Sequence, residues 1–184
     1  TDRVGGVDVA GVYCTLCGAV VVYETNAGGR LHRLGTSGFL YRSNKLMYDA
    51  DTQSLWSMLE GRPVIGPLAG RGIELATREV VTTTWGEWRR RHPATTVLSL
   101  ATGHRRDYGE GVAYREYFAS DEPMFPVPDT DARLRNKQQV LVPRFGSAGE
   151  KPLAIASDFL QRNPAWHGRY GGQHFVVLTD RSGA

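Results

Sequence analysis

The stretch Val7-Asp8-Val9-Ala10-Gly11-Val12-Tyr13-Cys14-Thr15-Leu16-Cys17-Gly18-Ala19-Val20-Val21-Val22-Tyr23-Glu24 decides the fold. Two runs of β-branched and aromatic residues flank the five-residue knuckle Cys14 to Gly18, so the reading is strand, tight turn, strand. The same texture continues outward. Val7 to Tyr13 and Ala19 to Glu24 begin a meander of hairpins that goes on through Arg30 to Leu34, Phe39 to Arg42, Lys45 to Asp49 and Ser54 to Leu59. Turns are expected at Asn26-Ala27-Gly28-Gly29 and Gly35-Thr36-Ser37-Gly38, with further strands over Arg62 to Ile65, Ile73 to Val81, Thr95 to Leu100 and His174 to Thr179.

Two helices interrupt this pattern. Thr84-Trp85-Gly86-Glu87 has the form of a capping box, in which hydroxyl and carboxylate satisfy orphan backbone donors; Trp85 and Trp88 give one apolar face, and Pro93 ends the helix near His92. Ser157 is placed to cap a second helix to Asn163, stopped by Pro164, with Phe159 and Leu160 turned inward. Between them Asp121 to Pro152 reads as a long loop, a lid or a covering arm. Arg3-Val4-Gly5-Gly6-Val7-Asp8-Val9 is echoed by Arg169-Tyr170-Gly171-Gly172-Gln173-His174-Phe175, either as a weak internal repeat or as two ordinary Gly-Gly turns. The architecture expected is α+β, a single domain of mainly antiparallel hairpins with two short helices.

Composition bounds the function classes. At 184 residues one core is enough, and 41% hydrophobic against 22% charged residues is a globular rather than a disordered balance. No apolar run approaches the roughly 18 residues of a membrane span, since Ala19-Val20-Val21-Val22-Tyr23 stops at Glu24. The chain starts at Thr1 with no leader ahead of the domain, so any targeting segment is expected to lie outside it. Net charge is +3, yet only Arg89-Arg90-Arg91 forms a basic run, which reads as a solvated helix end, and no nucleic-acid partner is expected.

The sharpest local signal is Cys14-Thr15-Leu16-Cys17-Gly18: two intervening residues let both sulfurs face one point, and the glycine relieves the turn. Metal binding, a disulfide or thiol redox, and two inert buried thiols all fit. A structural zinc ribbon supplies four ligands and the chain has only these two cysteines, so a bound copper or zinc would recruit histidine or carboxylate or stay open; His32 and His104 are the first candidates, ahead of His92, His167 and His174. A position between two strands favours a knuckle or a structural disulfide over a thioredoxin-like mechanism, which sets its thiol at a helix start. Ser37, in Gly35 to Gly38, offers a hydroxyl beside turn amides for an anion, against the plainer account of a hairpin turn. No Gly-x-Ser-x-Gly elbow surrounds it, so a serine hydrolase is set aside. Arg105, Arg106, Asp107 and Tyr108, packed between Gly103 and Gly109, would orient a carboxylate or phosphate, or form a surface Arg-Asp pair. The working surface is expected where knuckle, Ser37 turn and Arg105 to Tyr108 loop converge, with Tyr108 and Trp56 as pocket walls.

Tyr13 to Gly18, Gly35 to Ser43, Met47-Tyr48-Asp49, Thr52 to Ser57, Gly66-Pro67-Leu68-Ala69-Gly70 and Thr102 to Gly109, in this order, resemble the domain-of-unknown-function family numbered three-one-seven-nine. The resemblance is firm from Val4 to about Phe125. It implies an extracytoplasmic protein, since members typically carry export signals or lipid anchors, and it settles no activity. Members commonly have Pro where this chain has Thr15, and a stretch before the Gly-Gly turn that this chain lacks, which leads to the expectation that the natural protein extends upstream. The first functional reading is an extracytoplasmic metal-binding protein, with metal-dependent catalysis as its extension. A binding or assembly module stapled by a Cys14–Cys17 disulfide, and a thiol–disulfide redox protein, stay open beside it. The partner class is a small molecule or a protein.

Overall fold

In the computed structural model the first hairpin forms as read: β2 (Val7–Cys14) and β3 (Ala19–Glu24) pair antiparallel from Val9↔Glu24 to Cys14↔Ala19. The structure describes residues 1–143, 145 and 153–179. Ala10, Val12 and Cys14 turn inward while Gly11 and Tyr13 face out, the period of two that a half-buried strand imposes. With β1 (Asp2–Val4) on one side and β10 (Thr77–Arg78) beyond β3, these strands make a four-stranded sheet ordered β1-β2-β3-β10.

After a short β4 (Asn26–Ala27) and β5 (Arg30–Leu31) pair, a second four-stranded antiparallel sheet follows: β6 (Leu34–Tyr41), β7 (Asn44–Asp49), β8 (Leu55–Ser57) and β9 (Pro63–Ile65). One core cluster, with Ala10, Val12, Tyr23, Met47, Trp56 and Met58 among its members, joins residues of both sheets. The two sheets belong to a compact unit of Thr1–Thr82 together with Met124–Asp129. A cleft of about 140 Å³ opens in it between Ala10 to Val12 of β2 and Leu34 to Thr36 of β6. It lies where β1, whose register ends at Asp2↔Val9, no longer covers the β2 edge.

The other compact unit is Thr83–Pro123 with Thr130–Ala184. Its described elements are α1 (Trp85–Arg91), α2 (Arg115–Ala119), the pair β11 (Val140–Leu141) and β12 (Ile155–Ala156), α3 (Ser157–Arg162), and a hairpin of β13 (Ala165–Tyr170) with β14 (Gln173–Leu178). Among the described residues no helix is long and apolar enough to cross a membrane.

The α+β, mainly antiparallel reading holds, and its departures have local causes. Gly35 to Gly38 is not a turn: β6 runs through it with a bulge between Thr36 and Leu40, because the Ser37 hydroxyl donates to Leu46 O at 2.6 Å and accepts from Phe39 N at 3.0 Å. The turn lies instead at Arg42 and Ser43, with φ of 49° and 59°, a two-residue loop left-handed at both positions. The strand expected over Arg30 to Leu34 breaks at His32, whose side chain enters the core. Ile73 to Val81 keeps only Thr77–Arg78 as strand, and Thr95 to Leu100 forms none, with Leu98 96% exposed: β-prone residues without a partner ladder do not make a sheet.

Thr84 caps α1 as read, its hydroxyl accepting from Glu87 N at 3.2 Å. Glu87 does not close the box but pairs with Arg90 and Arg91. The two tryptophans of α1 stay partly exposed, and the helix buries no residue; Trp88 Nε1 donates to Thr95 Oγ1 at 3.0 Å and its ring lies 4.1 Å from that of His92. Ser157 falls inside the first turn of α3, whose N-cap is Ala156, so the expected hydroxyl cap is absent. Leu160 is buried as expected, and Phe159 meets Trp166 edge-on. The two echoed segments fold alike, as hairpins closed by Gly5-Gly6 (φ 57° and 84°) and Gly171-Gly172 (φ 54° and 77°). Of the long loop, Met124–Asp129 belongs with the first unit, while 144 and 146–152 lie outside the described residues.

Gly61 shows how tightly this core is set. Its φ is +67°, and a Cβ there would stand 2.6 Å from Cε1 of Tyr23, a ring that is fully buried and fixed by its hydroxyl on Met58 O at 2.7 Å. Gly61→Ala therefore combines left-handed strain with overpacking and should cost about 3 kcal/mol. Urea denaturation reads this, and a variant within experimental error of wild type would show that the Tyr23 ring yields.

Candidate thiol site

Strand parity and turn geometry place the two thiols differently. Cys14 is the last paired residue of β2 and points into the core, 3% exposed, whereas Cys17 sits in the turn and is exposed. Gly18, with φ +62°, lets the chain return into β3. Both cysteines are free thiols, not joined as a hairpin staple requires. Desolvation, then the hydrogen bond to Cys14 and repulsion from it, push the Cys17 thiol up to about 12, against the opposing effects of Asn44 and Lys45. A thiol so shifted is protonated at neutral pH and a poor nucleophile.

A second hairpin reaches this knuckle. From the β6–β7 tip, Asn44 Nδ2 donates to Cys17 Sγ at 2.9 Å and Lys45 Nζ donates to Tyr13 O at 2.9 Å. Ser43 Oγ, on the same tip, donates to Pro126 O at 2.5 Å and so ties segment 124–129 to it. None of these partners was foreseen from the sequence. The available signal was Arg42-Ser43 between strand-like runs, which would have put Asn44 at the head of the returning strand.

His32 is fully buried and committed elsewhere. Its Nδ1 lies 2.9 Å from Asp49 Oδ2, its Nε2 lies 3.1 Å from Ala27 O, and its ring meets Trp56 edge-on at 4.8 Å. Burial by itself would raise the Asp49 carboxyl; hydrogen bonds from His32, the Thr52 hydroxyl and the Asp51 amide outweigh it and hold the group below its usual value. Trp56 is fully buried as well, and its Nε1 finds no partner among the described residues. Ser37 spends its hydroxyl on the β6 bulge.

The remaining predicted residues belong to the other unit, apart from the cysteines, Ser37, His32 and Trp56. His104, Arg105, Arg106, Asp107 and Tyr108 form an exposed loop. There the Tyr108 hydroxyl lies 2.8 Å from Thr102 Oγ1, and Asp107 Oδ1 accepts from Gly109 N at 2.8 Å. Asp107 thus shapes its own turn, and no ion pair joins it to Arg105 or Arg106 among the described residues. Among the described residues no three His, Cys, Asp or Glu side chains stand together as a metal-binding group.

Over residues 1–184, the whole chain, the sequence matches the family described as "Protein of unknown function (DUF3179)", and the chain belongs to that family. No curated protein and no solved structure matches it.

The buried pair has a measurable pH signature. Because Asp49 titrates below its ordinary value of 3.8, its contribution to stability is full above that pH and is lost as pH falls through the lower folded-state value. Asp49→Asn, which removes the carboxylate that His32, Thr52 and the Asp51 amide bond, should be about 2 kcal/mol less stable at neutral pH and show a flatter acid limb. Urea unfolding across the acid range reads both effects, and an unchanged acid limb in the variant would remove Asp49 as the titrating group.

Proposed function

We propose that this member of the family is an extracytoplasmic metal-binding protein whose Cys14–Cys17 pair takes a soft ion, copper(I) in preference to zinc. The observation that carries the reading is the meeting of the two thiols in one hairpin turn, with Asn44 Nδ2 on Cys17 Sγ at 2.9 Å. Thiolate donors select copper(I) and zinc among common ions. Zinc takes four ligands, and His32, the nearest histidine in sequence, has both ring nitrogens engaged. Two thiolates alone satisfy copper(I), which accepts linear two-coordination.

Two further considerations support this reading over its rivals. A redox mechanism wants an activated thiolate in the free protein, whereas a metal ligand gives up its proton as the ion binds, and the raised Cys17 thiol suits the second. In an oxidising compartment a close pair of thiols persists best when an ion holds it. Binding displaces the thiol protons, so affinity rises with pH.

Anaerobic titration with copper(I) against a competing chelator should give one ion per chain, tighter at pH 8 than at pH 6. Cys14→Ser and Cys17→Ser should each lose it. Wild type that holds no more copper than the doubly substituted chain sinks the proposal, and a purified chain two hydrogens lighter than its sequence mass would favour the disulfide staple.

A further inference from the structure

The tip of the β6–β7 hairpin is built to act on the thiol pair. Its left-handed residues Arg42 and Ser43 leave Asn44 paired with Tyr41 at the first position of β7, from which the carboxamide reaches Cys17. The two ends of that carboxamide are treated unequally. Nδ2 donates to the sulfur at 2.9 Å, whereas Oδ1 is buried with no partner among the described residues. A thiolate only accepts, so an N–H aimed at the sulfur is the partner that Cys17 would need once an ion has displaced its proton. Lys45, the next residue, brings an ammonium to the carbonyl of Tyr13, one residue before Cys14.

We infer that Asn44 and Lys45 are the specificity-determining residues of the thiol site, an amide donor and a cation matched to a centre that carries one net negative charge. This rests on the copper reading above and deepens it. Two thiolates around a monovalent ion leave a charge of −1, which an N–H donor and a neighbouring ammonium stabilise. Two thiolates around a divalent ion leave no net charge for Lys45 to meet. Asn44 also orients the sulfur: held from outside the knuckle, Cys17 keeps facing Cys14, the role that partners behind metal ligands commonly play.

The test compares copper(I) and zinc affinities, by chelator competition, in wild type, Asn44→Asp, Asn44→Ala and Lys45→Gln, with urea midpoints measured alongside. Asn44→Asp keeps the shape but replaces the donor by an anion, and should weaken copper(I) binding about 100-fold; Asn44→Ala should weaken it about 10-fold. Lys45→Gln should weaken copper(I) binding while leaving zinc binding unchanged, a split that loss of packing would not produce. Equal losses for both ions in Lys45→Gln, or wild-type copper(I) affinity in a folded Asn44→Asp, would overturn the inference and leave the copper site standing. A wild type that binds no copper(I) would overturn both.

Discussion

The first unit is organised around one buried hydrogen bond, that of His32 to Asp49. His32 and Asp49 are both inaccessible to solvent, 2.9 Å apart, and their other polar partners come from two places: Ala27 O from the β4–β5 hairpin, Thr52 Oγ1 and Asp51 N from the loop after β7. A buried carboxylate is tolerated only when its hydrogen-bonding capacity is filled. That condition pins the β4–β5 hairpin and the loop after β7 at once. It also stations Trp56 against the His32 ring, which sets the inner face of β8 and with it the depth of the core.

With the core so fixed, chemistry is left to the turns. The knuckle between β2 and β3 carries the thiols, and the tip between β6 and β7 carries the amide and ammonium that contact it; each belongs to a different sheet. Two rigid hairpins meeting tip to tip hold polar groups at hydrogen-bond distance without a pocket. Residues 124–129 contribute as well, since Pro126 accepts from Ser43 on the same tip.

How much of this was legible depends on whether a feature is written locally. Strand parity is, and β2 and β3 fell within a residue of their expected ends because Val7 to Glu24 carries both its pattern and its turn. The Thr84 cap is equally local. Gly35 to Gly38 carries turn residues but forms a bulge, since Ser37 is claimed by Leu46, nine residues on in the partner strand, and no local pattern reports that. His32 was singled out as a metal ligand by its residue type; its engagement with Asp49 arises from a pairing across seventeen residues. Thr95 to Leu100 has strand-forming residues, yet a strand needs a neighbour, and the sequence of one segment does not say whether one arrives. Asn44 escaped notice for the same reason, its importance being wholly tertiary.

The asymmetry of the two thiols follows from this geometry and bears on any chemistry they perform. Inward parity at the end of β2 anchors Cys14 in the packed core, so its sulfur moves only with the sheet. Cys17 lies three residues further, on the exposed side of the turn, and is restrained chiefly from outside by Asn44. With one thiol buried and one exposed, a reagent from solvent meets Cys17 first. The hairpin register thus sets one cysteine at a paired position and the other in the turn.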